Sequence, residues 1–219
     1  MHTDRIQEAL ADALAGRHLL THPFYRRWEA GTLAEGELAS YAEQYRHLER
    51  QLPATLAAIA GGLPEGPARD LVEANLADEL GVPAPHATLF ESFATAAGAA
   101  PEADASPATD ALLTAVRAAA AVGPVAALAM VAAYEVQAAD IASSKAAGLR
   151  RHYAMDDEGT RFWDVHTTQE AEHADWSAQA LAALQADPAL VSAAARVAAD
   201  GWWEFLSERE SLAPAGASC

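Results

Sequence analysis

One cysteine in 219 residues, Cys219 at the last position, leaves no intrachain disulfide, no thiolate metal cluster and no core cysteine nucleophile. Basic residues are also scarce: fourteen Lys and Arg face thirty-one Asp and Glu, a formal net charge of -17. Such a surface repels a phosphate backbone, which argues against nucleic acid as a partner, and beyond solubility it says little about substrate. No uninterrupted apolar run reaches about 18 residues, and Met1-His2-Thr3-Asp4-Arg5-Ile6-Gln7-Glu8 has neither the basic nor the apolar region of a signal peptide. The expectation is a cytoplasmic protein with no membrane partner. His-Glu-x-x-His and Gly-x-Ser-x-Gly do not occur, so a zinc protease and a serine-nucleophile elbow are set aside. Strand alternation, internal repeats and a composition shift marking a domain boundary are missing too.

What the chain has is helix-forming sequence. Hydrophobic residues make up 52% and charged ones 21%, enough for a sizeable core, and runs such as Ala118-Ala119-Ala120-Ala121 favour helix over strand. The reading is all-α: one domain over residues 1–211, a bundle of about seven or eight helices, and a frayed tail over 212–219. A first amphipathic helix is expected from Thr3 to about Leu20, and a short helical turn over 24–30 ended by Gly31. Thr32-Leu33-Ala34-Glu35 has the capping-box form, which predicts a long helix from there to about Ala60 with a kink near Gln51-Leu52 ahead of Pro53. A further helix starts near Ala68 and meets Gly81-Val82-Pro83-Ala84-Pro85. Ser106-Pro107, Gly123-Pro124 and Asp187-Pro188 carry helix-start chemistry. They divide the second half into helices over about 107–122, 124–147, 156–185 and 188–210. The last holds Trp202, Trp203, Phe205 and Leu206, read as packing aromatics; any self-association would be a homodimer through that helix.

The chemistry centres on 162–176. On a helix, His166, Glu170 and His173 fall at i, i+4 and i+7 and share one face. Neutral imidazole and carboxylate together suit iron, manganese or zinc. Alone, the triplet is equally a wet, charged helix face. Glu135 adds a second element: eleven uncharged residues, Pro124 to Tyr134, precede it, and a carboxylate on an all-apolar helix must be paired, hydrogen-bonded or metal-bound. Glu79 and His86, on either side of the Gly-Val-Pro-Ala-Pro break, add a third. Three carboxylates and three imidazoles suit two iron-group ions with positions left open for oxygen. A ferritin-like bundle needs two Glu-x-x-His motifs, and Glu170-Ala-Glu-His173 is the only one.

The order Glu, six residues, His, then Tyr-Glu on a buried helix, then His-x3-Asp/Glu-x2-His resembles the haem-oxygenase-like dimetal oxidases. These share a fold with the thiaminase-II-like and pyrroloquinoline-quinone-synthase proteins. Within them, the chain is most similar to the group of the chlamydial protein associating with death domains and its bacterial relatives, the self-sacrificing para-aminobenzoate synthases. The likeness runs from His22-Pro23-Phe24-Tyr25 to Trp176. It implies a haem-oxygenase-like bundle with Glu79, His86, Glu135, His166, Glu170 and His173 as ligands to two transition-metal ions, Fe/Fe or Mn/Fe, with O₂ and a reductant as co-substrates. Glu170 departs from the pattern, since the close relatives carry aspartate there. The resemblance further implies that Tyr25 is cut out to become the aromatic ring, that Lys145 donates the amino group, and that Tyr41 and Tyr134 match two more tyrosines near the centre. Without it, Lys145 reads as a snorkelling helix-end lysine before Gly148, and Tyr25 as a packing aromatic beside Phe24 and Trp28. Two rival expectations stand beside self-sacrifice. One is the same fold acting on an external small molecule, by N-oxygenation or oxidative carbon–carbon cleavage; the other is a metal-free helical interaction protein.

Overall fold

The structure, a computed structural model, describes residues 2–81 and 84–213. Val82 and Pro83 of the expected break, and residues 214–219 of the expected tail with Cys219, lie outside the described residues. Among the described residues there are nine α-helices and no strand: α1 (His2–Leu14), α2 (Pro23–Ala30), α3 (Glu37–Gly62), α4 (Pro67–Glu79), α5 (His86–Ala96), α6 (Pro107–Val122), α7 (Pro124–His152), α8 (Asp157–Ala183) and α9 (Pro188–Ser211). A single 3₁₀ turn, Leu19–Thr21, joins α1 to α2. The count exceeds seven or eight because the stretch expected as a turn over 24–30 closes into a complete short helix. His22 starts it, its Nδ1 accepting from the Phe24 N–H at 3.1 Å, and Gly31, left-handed at φ 70°, ends it.

Three boundaries differ from the sequence reading, each for a local reason. α1 stops at Leu14, because Gly16 turns the chain at φ 73°. α3 begins at Glu37 and not at Thr32. The capping box does not form: the Ala34 N–H goes to the Glu37 carboxylate at 2.6 Å, while the Thr32 hydroxyl donates back to the Arg27 carbonyl at 3.3 Å. α7 runs past Gly148 to His152, so Lys145 sits inside a helix and not at its end. α3 passes through Pro53 as one helix, and the proline, lacking an N–H, leaves the Glu49 carbonyl without its usual partner one turn on.

The core divides into two regions, and α7 threads both. Its first half, Ala127 to Ala133, packs in an alanine- and leucine-rich region with Ile6 and Leu10 of α1, Leu56 and Ile59 of α3, and Leu181 of α8. Its second half, Ile141 to Leu149, enters an aromatic region with Phe24, Tyr25 and Trp28 of α2, Tyr41 and Tyr45 of α3, Phe90 and Phe93 of α5, and Phe162 and Trp163 of α8. α8 crosses the regions in the opposite order, aromatic first, so α7 and α8 lie antiparallel in the most extensive helix pair of the fold. Their middles, around Glu135 and His166–His173, meet at the seam. By length and composition α7 could cross a membrane, with mean hydropathy 1.4, but 67% of that window is buried among the other helices, as befits a core helix. Trp202 stacks on Tyr134 at 4.4 Å, and Trp203 stands edge-on to His22 at 4.6 Å, so both are packing aromatics within the chain.

Gly148 is where α2 meets α7. A Cβ on it would lie 2.9 Å from Trp28 Cδ1 and 3.3 Å from the Trp28 carbonyl oxygen, and Trp28 Nε1 donates to the Lys145 carbonyl at 3.3 Å. Gly148→Val should therefore destabilise the fold by about 1–3 kcal/mol, the usual cost of overpacking. Urea unfolding would read this as a lowered midpoint; an unchanged midpoint would show that the contact is slack.

Candidate metal centre

The seam is built from five helices. Asp156 starts α8 by accepting the Gly159 N–H at 2.9 Å, and helical spacing then turns His166, Glu170 and His173 inward as one buried face. Glu79 ends α4 and His86 opens α5, so the break between them folds back and sets Glu79 Oε2 2.9 Å from His86 Nδ1. His166 Nε2 is 3.5 Å from Glu170 Oε1; His173 Nδ1 is 3.8 Å from Glu170 Oε2 and 4.0 Å from Glu79 Oε1. All six residues singled out in the sequence are buried, and Glu135 lines the same cavity as Glu79, His166 and Glu170. Glu135 differs from the rest in being already satisfied: Asn75 Nδ2 donates to one oxygen at 2.6 Å and Ser177 Oγ to the other at 2.5 Å.

A seventh residue joins them. Ligand atoms of Glu49, Glu79, His86 and His166 lie within 4.8 Å of one another. Glu49 escaped the sequence reading because α3 carries many charges, yet a signal was there: Tyr41, Tyr45 and Glu49 recur at i, i+4 and i+8, which puts a carboxylate in register with two tyrosines. Flanking contacts were also missed. His86 Nε2 is 3.1 Å from Gln169 Oε1, His173 Nε2 is 3.3 Å from Asp78 Oδ2, and His166 Nδ1 faces the Phe162 carbonyl at 2.8 Å. A second partner of this kind orients an imidazole and leaves the other nitrogen for a ligand.

The electrostatics of the site suit cations. Burial pushes Glu49 and Glu170 well above the usual carboxylate range, reinforced by neighbouring carboxylates. Burial likewise lifts Glu135 to about 7 against the opposing hydrogen bonds of Ser177 and Asn75. Burial holds His166 down to about 3 and lowers His173, so both rings are neutral, the form that binds metal. For Glu79, burial is outweighed by His86, His166 and His173, and its carboxyl lies below the usual range. Among the described residues, Glu49 Oε1, Glu79 Oε2, His86 Nδ1 and Glu170 Oε2 are buried with no hydrogen-bond partner. Buried polar atoms are rarely left so. Four carboxylate or imidazole orphans in one small volume, with the Asn75 amide oxygen beside them, fit iron-group metal.

Behind the seam lies Lys145, the chain's only lysine, 2% exposed. Its Nζ donates to Tyr41 Oη at 2.6 Å, and the Tyr41 and Tyr25 hydroxyls are 2.9 Å apart. Aromatic rings enclose the amine: Nζ lies 4.0 Å from the Trp163 centroid, 4.6 Å from Tyr25 and 5.0 Å from Tyr45. Burial brings its pKa well below that of an ordinary lysine, against the pull of Glu49. The helix-end reading of Lys145 is thus corrected: it is a caged amine. Tyr134 connects cage and seam, its hydroxyl 3.0 Å from that of Tyr45, whose ring stacks on Tyr41 at 5.5 Å. A cavity of about 90 Å³, lined chiefly by apolar groups such as Leu52, Met130 and Val131, opens onto Glu49, Glu135, Tyr134 and Trp202.

Residues 39–203 match a family described as iron-containing redox enzymes. The 4-aminobenzoate synthase of Nitrosomonas europaea is 34% identical over 94% of this chain and 91% of its own length. The 4-aminobenzoate synthase of Chlamydia pneumoniae is 27% identical over 91% of this chain and 92% of its own. A domain of unknown function with a haem-oxygenase-like fold, from Shewanella denitrificans, superposes with a TM-score of 0.72 at 17% identity, covering 95% of this chain and 90% of that one. The bundle expected from the sequence is therefore the one found.

Glu135 makes the electrostatics testable in metal-free protein. Its carboxyl titrates at 4.5 in the open chain and about 7 in the fold, so stability falls as pH rises through that window and the loss is complete above it. Glutamine keeps the Asn75 contact, and Ser177 can accept from it. Glu135→Gln should therefore gain on the parent by about 1–3 kcal/mol between pH 5 and pH 8. Urea unfolding at both values measures the gap; a gap that does not grow with pH would contradict the buried-acid reading.

Proposed function

Since the chain belongs to the iron-containing redox enzyme family, we propose that it is a dimetal oxygenase that makes para-aminobenzoate from its own Tyr25 and Lys145. The observation that carries this is the juxtaposition of those two side chains. The Lys145 amine lies 4.6 Å from the centre of the Tyr25 ring, held in an aromatic cage and linked to the Tyr25 hydroxyl through Tyr41. The two relatives named 4-aminobenzoate synthase support the product. The cavity supports the internal source: about 90 Å³ admits a diatomic gas or a few waters, well below the ~300–1,000 Å³ of a small-molecule site.

The residues that would hold two ions are Glu79, His86, Glu135, His166, Glu170 and His173. Iron with iron, or manganese with iron, suits this donor set. When bound, the ions supply what side chains lack, a place where O₂ with a reductant becomes an oxidant. The chain's own groups do the rest. Burial keeps the Tyr25, Tyr41, Tyr45 and Tyr134 phenols protonated, so each carries a hydrogen atom that it can give up and regain. The contacts Tyr134–Tyr45, Tyr45–Tyr41 and Tyr41–Tyr25 form an unbroken path from the seam to the Tyr25 ring. Burial in the cage lowers the Lys145 pKa well below that of an ordinary lysine, against the pull of Glu49, which favours the free amine that a nucleophile requires at Nζ. Trp28, bonded to the Lys145 carbonyl, and Trp163, against Nζ, fix its direction.

With one lysine in the chain, the nitrogen can be traced without ambiguity. Protein grown on [¹⁵N-ε]lysine, purified, and given iron, a reductant and air should release para-aminobenzoate labelled at nitrogen. Tyr25→Phe should release none while binding metal normally. Unlabelled product, or undiminished yield from Tyr25→Phe, would show that the source is external.

A further inference from the structure

We infer that Glu49 is itself a metal ligand, completing with Glu79, His86 and His166 a preassembled site that fills before the rest of the centre. The inference rests on the two-metal reading above and adds to it a residue and an order of loading. The ligand atoms of these four side chains already lie within 4.8 Å of one another, the only such group among the described residues. Glu49 is 4% exposed, its Oε1 has no hydrogen-bond partner, and it faces the same cavity as Glu79 and His166. Glu79 Oε2 and His86 Nδ1, 2.9 Å apart, also lack partners of hydrogen-bonding geometry, so three of the four residues present free donor atoms to one volume. α3 holds Glu49 there firmly: Tyr41 and Tyr45 of the same helix face are locked in the aromatic cage.

The other half of the centre is not ready in the same sense. Both Glu135 oxygens are held by Asn75 and Ser177. For Glu135 to serve an ion it must surrender or share those hydrogen bonds, a cost absent at Glu49. One ion therefore meets a formed pocket, and the second must rearrange its own.

Anaerobic titration of metal-free, full-length protein with Mn²⁺, following free Mn²⁺ by electron paramagnetic resonance, tests this without turnover. The parent should bind one ion more tightly than a second. Glu49→Gln, which preserves shape and removes the carboxylate, should weaken the tight class by at least about 10-fold, the size seen even for residues that only orient ligands. Glu170→Gln should leave the tight class and weaken the other. A thermal melt followed by circular dichroism confirms folding, and Glu49→Ala serves as the second variant should the glutamine bind metal through its amide oxygen. Isotherms of both Glu49 variants that overlay the parent would overturn the inference while leaving the two-metal reading intact; two equal classes in the parent would overturn the order of loading. A parent that takes up no ion would overturn both.

Discussion

An ionised or ionisable group taken out of water has to be paired, neutralised or given a metal, and this chain buries an unusual number of them in one layer. The layer exists because α7, uncharged from Pro124 to Tyr134, runs antiparallel beside α8, which sets Glu135 level with the inward face of His166, Glu170 and His173. Everything on the seam inherits that constraint. Carboxyls are lifted, imidazoles are held neutral, and several carboxylate and imidazole atoms stay without a hydrogen-bond partner.

A second set of buried charges shows what the alternative looks like. Arg27 of α2 is paired with Glu37 of α3 and Glu210 of α9, and its Nη1, one of the two nitrogens bonded to Glu37, also reaches the Thr32 carbonyl at 3.4 Å. Arg46 pairs with Glu91 and reaches the Ala100 carbonyl at 2.6 Å. Each of these networks clamps helices together, with the guanidinium donors directed at acceptors. The seam has the opposite character, an excess of acceptors. The cage around Lys145 has a third, an amine given one hydroxyl and several π faces in place of a carboxylate. The contrast separates structural ion pairs from a centre with chemistry to perform.

Helix-start prolines, the apolar run before Glu135 and the i, i+4, i+7 spacing on α8 are local features, and local features were legible: the all-α class, the course of α6 to α9 and the inward face of His166, Glu170 and His173 follow from them. What could not be read depends on distant parts of the chain. The Thr32 capping box fails because Glu37, drawn to Arg27, takes the Ala34 N–H. Lys145 looked like a helix-end residue because Gly148 resembles a stop signal, whereas Gly148 is there to admit Trp28 from α2. Glu49 lay hidden among the charges of α3, its burial set by helices distant in the chain. Asn75 and Ser177 carry no signal of their own until Glu135 is placed between them.

The central claim is that Tyr25 is consumed, and the mass of the intact protein tests it most directly. Protein loaded with iron and exposed to reductant and air should become lighter by about one tyrosine side chain, with changes mapped by peptide mass to residue 25, which loses its ring, and to residue 145, whose Cε–Nζ bond is broken as the nitrogen leaves, in proportion to the para-aminobenzoate released. An unchanged mass alongside continued product formation from an added small molecule would contradict it.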